Sequence, residues 1–202
     1  MGVRDDAAAH PPRDGDPQHL GSRRMGARAR RERSRGRARR VPEAPDRGRR
    51  VSVAQRLEEL GFELPAVVPP VASYVPAVSA NGFVYTSGQL PMVDGQLPRT
   101  GKVGAEVSAD EAMLDAKQCA LNALAAIAAE IGSLDRITRI VKVVGFVASA
   151  DGFHGQPGVV NGASNVLGEI FGDAGKHARS AVGVAELPLG APVEVEVIAA
   201  FA

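Results

Sequence analysis

The segment VEVEVIAAFA, residues 193–202, places Val193, Val195, Val197, Ala199 and Phe201 on one side of an extended chain and Glu194, Glu196, Ile198 and Ala200 on the other. A period of two held this strictly fits only a strand, because successive side chains alternate across the pleat. It also fixes a sheet with one apolar face and a second face where two carboxylates lie among apolar residues. Upstream, YVPAVSANGFVYTSGQLP carries two strand-like runs about Asn81-Gly82, a dipeptide whose residues both tolerate the positive φ of a tight hairpin. Ser108 and Glu111 form a capping box ahead of AMLDAKQCALNALAAIAAEIG, which keeps apolar residues at helical spacing until Gly132. RITRIVKVVGFVAS (136–149) is β-branched and reads as a central strand. Residues 157–171 return to helical spacing, with glycines that weaken the pattern. A short amphipathic helix at 52–61, ending at Gly61, and an extended, proline-rich ELPAVVPPVA at 63–72 precede all of these. The order is therefore a short helix, then β, β, α, β, α, β, β.

Two main helices cannot cover both faces of a sheet with that many strands, since crossovers of one hand bring them to the same side. The expectation is an α+β fold, a mixed sheet with its helices packed on one face. The other face needs cover, and another copy of the chain is the simplest candidate. Arg179, in GKHARSAV at the head of an apolar run, needs a partner for its charge. If its strand lies near the last one, the guanidinium and one or two of the glutamates converge on the uncovered face. That arrangement reads equally as a structural ion pair or as a binding site.

Charge divides the chain. Residues 1–50 hold 15 arginines, no lysine and 7 acids, whereas residues 51–202 hold 9 basic and 16 acidic side chains. The first part lacks the large apolar residues that would offset the entropy of ordering it, so it is expected to be a disordered tail. Three readings of the tail compete: a nucleic-acid-binding arm, a mitochondrial transit peptide, and a translated leader ahead of a working protein that begins near Val51. The interspersed acids and the missing amphipathic face argue against the transit peptide, and no aromatic residue interleaves the arginines. Residues 51–202 form one domain of ordinary size. No window is apolar enough to span a bilayer, and the protein is expected in the cytoplasm. Cys119 stands alone on a helix and reads as a small buried hydrophobe. His10 and His19 lie in the tail, His154 has no ligand-like spacing, and His177 reads as a surface histidine.

YTSGQLP at 85–91, HARSAVGVAELPLGAPVEVEVIA at 177–199 and the intervening helix–strand–helix order resemble the Rid family, also called YjgF or L-PSP endoribonuclease-like, over about residues 68–202. The wording is closest to its chorismate mutase-like branch. The resemblance implies a chorismate mutase-like α+β fold assembled as a homotrimer, with clefts between subunits that deaminate reactive enamines and imines. Residue by residue, it implies that Arg179 holds a substrate carboxylate and Glu194 positions the hydrolytic water. Tyr74, Ser87 and Asn161 would complete the polar wall, and neither metal nor cofactor is implied. Two departures bear on pocket shape: Ala181 stands where the family often has cysteine, and Ala72-Ser73 where it usually has Gly-Pro.

The residues themselves support that chemistry. A guanidinium grips a carboxylate through two parallel hydrogen bonds, and a partly desolvated glutamate can deprotonate water for attack on a C=N carbon. Three functions remain distinct: an imine or enamine deaminase, a non-catalytic sensor of small carboxylates in the same cleft, and RNA cleavage. The acidic domain disfavours the last, which would have to draw on the arginine tail.

Overall fold

The helix beginning at Ala109 starts where a reciprocal cap satisfies its first amides. The Ser108 hydroxyl accepts from the Glu111 N–H, and the Glu111 side chain accepts from the Ser108 N–H. It runs to Ile131 and stops at Gly132. In the computed structural model, which describes residues 51–67 and 73–202, it is α2 of three helices. The others are α1, Val53–Glu59, and α3, Gln156–Phe171. The strands are β1 (Ala77–Ala80), β2 (Phe83–Thr86), β3 (Ile137–Ala148), β4 (Ala178–Val184) and β5 (Val193–Phe201). The tail expected at residues 1–50 lies outside the described residues, as does Ala72.

The order agrees with the sequence reading. Asn81 and Gly82 turn the first hairpin with φ of 51° and 77°, and residues 62–67 carry no regular structure. The strands form one mixed sheet in the order β1-β2-β5-β3-β4, antiparallel throughout except for β3 against β4. The parallel pair requires a crossover, and α3 supplies it.

Both main helices lie on one face, against Val84, Val143, Val147, Val193, Val195, Val197 and Ala199, all buried. Removing such a valine from water contributes about 1.5–3 kcal/mol each. The helices meet closely because Gly162 has no side chain: a Cβ there would stand 1.9 Å from the Met113 carbonyl oxygen. A glycine that weakens the helical pattern in the sequence is thus what lets α3 dock on α2.

Among the described residues, nothing covers the opposite face. It carries Val78, Phe83 and Tyr85, all exposed, beside Ile198 and Ala200 and the half-buried Glu194 and Glu196, with Phe146 and Val144 of β3 alongside. The two edges of the sheet differ. At β1 the Glu130 carboxylate of α2 accepts from the Ser79 N–H at 3.0 Å and from its hydroxyl at 2.7 Å. At the other edge, among the described residues, β4 pairs with β3 on one side only.

Candidate active site

Arg179 lies on β4 beside Val143 of β3, and so points to the helix side of the sheet. There its Nη1 donates to Asn161 Oδ1 at 2.7 Å and to Ser164 Oγ at 3.1 Å, both from α3. Asn161 and Ser164 are three residues apart, one above the other on the same helical face. Ser164 continues the network: its hydroxyl lies 3.0 Å from His177 Nε2, and His177 Nδ1 lies 2.6 Å from the Gly175 carbonyl oxygen. His177 is partly buried in this chain of contacts, which corrects its reading as a surface histidine.

Glu194 occupies different ground. It stands opposite Phe146 on the open face of β5, half-buried. Its side chain lies across Gly88, where a Cβ would come within 1.6 Å of Oε1 and 2.5 Å of Cδ. Loss of hydration pushes the carboxyl's pKa up, and the neighbouring Glu196 charge raises it further. The segment beneath it is fixed by backbone pairing: Gln89 and Val195 exchange N–H···O bonds of 2.9 and 3.0 Å. Asn122 of α2 donates to the carbonyls of Leu90 and Met92 at 2.8 and 3.1 Å.

Ser87 adjoins Gly88, and its hydroxyl donates to the Val75 carbonyl at 2.6 Å while its N–H donates to Pro76 at 2.9 Å. These bonds tie the segment bearing Tyr74, whose side chain is exposed, to the end of β2. Ala181 faces the helix side, paired with Gly145, and is packed against the core.

The candidate residues therefore form two groups. Arg179 and Asn161 meet, with Ser164 and His177, which the sequence reading did not include. Glu194 lies over Gly88, the residue after Ser87, whose hydroxyl is bonded to the carbonyl of Val75, next in the chain to Tyr74. The groups do not meet within one chain, which corrects the expected convergence of Arg179 with the glutamates. The crossover through α3 puts β4 on the outer edge of β3, while β5 fills the other edge between β3 and β2. Two strand spacings and three residues of offset separate Arg179 from Glu194, roughly 14 Å along the backbone. Their side chains also leave opposite faces of the sheet.

Spacing does carry a signal for the added residues. Ser164 follows Asn161 by one helical turn, and His177 precedes Arg179 by one strand repeat. Among the described residues no helix is long and apolar enough to cross a membrane, and no group of three His, Cys, Asp or Glu side chains is placed to hold a metal ion.

A family model described as endoribonuclease L-PSP matches residues 65–201. Protein TCP17 of Trypanosoma cruzi is 43% identical over 147 residues, covering 72% of this chain and 92% of that protein. The mitochondrial protein MMF1 of Saccharomyces cerevisiae is 37% identical over 131 residues, covering 65% of this chain and 77% of its own length. The crystal structure of Atu1372 from Agrobacterium tumefaciens, a protein described as of unknown function, superposes with a TM-score of 0.68 at 43% identity, over 74% of this chain and 92% of that one. With its mixed sheet, its helices on one face and this match across the domain, the chain belongs to the endoribonuclease L-PSP family, the Rid group that its motifs resemble.

Proposed function

We propose that the protein is an imine and enamine deaminase whose site is completed between copies of the chain in a homotrimer. Arg179 of one copy holds the substrate carboxylate, with Asn161 beside it. Glu194 of a neighbouring copy takes a proton from water as the oxygen adds to the C=N carbon. That proton passes to nitrogen to give the carbinolamine; the proton of its hydroxyl then moves through Glu194 to nitrogen as the C–N bond breaks and the C=O bond forms, and a 2-oxo acid and ammonia leave. Tyr74 and Ser87, on the Glu194 side, form the polar wall. A C=N carbon is already electrophilic, so water and a carboxylate suffice for this step.

The observation that carries the reading is Glu194 itself: a half-buried carboxylate, raised in pKa by burial, facing outward on an open apolar sheet surface. A carboxylate so placed in one chain gains a role when another chain closes over it. The exposed Val78, Phe83 and Tyr85 beside it support such a contact. RNA cleavage, the activity in the family's name, has less support, since residues 51–202 hold 16 acidic and 9 basic side chains.

Subunit mixing tests both parts. Arg179→Ala and Glu194→Gln homotrimers should each be nearly inactive on 2-aminoacrylate or a 2-imino acid. After joint refolding, about a quarter of the sites in randomly mixed trimers should unite the two intact halves and recover activity. No recovery on mixing would place the site within one chain. Absence of turnover by the wild type, with 2-oxo acid still bound, would leave a carboxylate-binding trimer.

A further inference from the structure

We propose that Ser164 and His177 are positioning residues that lock the Arg179 guanidinium in the orientation that grips a carboxylate, a step that rests on reading Arg179 as the clamp. The network has one consistent direction. The Gly175 carbonyl can only accept, so His177 Nδ1 carries the proton, and in the neutral ring Nε2 is left as an acceptor. Nε2 then takes the Ser164 hydroxyl proton at 3.0 Å, and the Ser164 oxygen is free to accept from Arg179 at 3.1 Å.

Both protons of Nη1 are thereby used, one on Asn161 and one on Ser164. Among the described residues, Nε and Nη2 donate to no protein group, and these two present the parallel pair of N–H bonds that a planar carboxylate takes.

The lock is needed because the guanidinium has somewhere else to go. Beside it opens a recess of about 320 Å³, bounded by Ser164, Gly168, Gly175, Lys176, His177 and Arg179. Gly168 and Gly175 put no side chain there, and Lys176 Nζ is engaged at 2.8 Å by Asp173. A guanidinium released from Ser164 can rotate into this space, and each turn away removes the fork from the substrate.

The test uses the full chain with Ser164→Ala, His177→Phe and His177→Gln, the last keeping an acceptor for the Ser164 hydroxyl. Pyruvate is the binding probe and a 2-imino acid the substrate. Ser164→Ala and His177→Phe should weaken pyruvate binding and raise KM about tenfold, with kcat within roughly twofold of wild type. His177→Gln should stay within about threefold of wild type. In the unliganded protein, rotation of the Arg179 guanidinium, read by ¹⁵N NMR, should be slow in the wild type and fast in Ser164→Ala. Wild-type affinity in Ser164→Ala and His177→Phe, while Arg179→Lys loses pyruvate, would overturn the positioning role and leave the clamp standing. If the wild type binds no pyruvate, the clamp reading fails, and guanidinium rotation decides the lock alone: equal rotation in wild type and Ser164→Ala overturns it.

Discussion

Gly88→Ala isolates the placement of Glu194 without touching its chemistry. The backbone at Gly88 lies outside the left-handed region, so alanine meets no conformational penalty of its own. The added Cβ would stand 1.6 Å from Oε1, 2.5 Å from Cδ and 3.0 Å from Cγ of Glu194. Ordinary contact needs about 3.4 Å or more, so the carboxylate must retreat by roughly 2 Å. The obstructing atoms are the free end of a flexible, half-exposed side chain, so they can swing aside and the fold should lose less than about 1 kcal/mol. Catalysis is less tolerant: a displacement of about 1 Å can cost 10²-fold in rate. We expect imine hydrolysis to fall about 10²-fold in kcat/KM, with pyruvate affinity at Arg179 unchanged and a thermal midpoint within a few degrees of wild type. A coupled assay of imine loss against the uncatalysed rate, with calorimetry of pyruvate binding, reads both. Wild-type turnover in Gly88→Ala would refute the assignment of Glu194 as the base held over this glycine.

Other perturbations should act separately. Arg179→Lys should weaken pyruvate binding by about 1–3 kcal/mol by calorimetry, since an ammonium cannot reproduce the two-pronged contact. Because Glu194 has its pKa raised above the usual 4.5, turnover should decline as pH falls through the raised value, where the base takes up its proton. Stability runs the other way: in that window the folded state holds more protons than the unfolded chain, so Glu194 makes the protein less stable as pH rises from about 4.5, and Glu194→Gln should flatten that slope in urea titrations. Gly162→Ala sets a helix-propensity gain of about 1 kcal/mol against a Cβ driven into backbone at 1.9 Å. Overpacking should win, with a net loss of about 1–3 kcal/mol in chemical denaturation.

What the sequence made legible was local. The Asn81-Gly82 turn, the Ser108–Glu111 cap and the alternation of β5 are each set by residues within a few positions, and the structure keeps all three. The packing of both helices on one face followed from counting elements. The neighbour of β4 was not legible, because strand order is a long-range choice: the apolar character of β4 is compatible with pairing to β3 or to β5. Only the crossover through α3 decides it, and with it the face on which Arg179 emerges. The partnership of Asn161 and Arg179 was accessible only through the resemblance, since residues eighteen apart on a helix and a strand share no local pattern. Gly88 passed as part of a motif because what it provides is space, and space leaves no mark on periodicity.

The unequal edges of the sheet bear on how the chain avoids uncontrolled stacking. A strand edge with free amides is a template for another strand, and fibres lengthen when both edges of a sheet can accept an addition. At β1 the Glu130 carboxylate already occupies the outward Ser79 N–H and adds a negative charge that an arriving strand would have to displace. Lengthening through the sheet is thereby obstructed at one end, and strand pairing at β4 can add a neighbour without founding an endless array. A single glutamate at the end of α2 thus acts as a chain terminator for the sheet, which bears on how concentrated the protein can become before it precipitates.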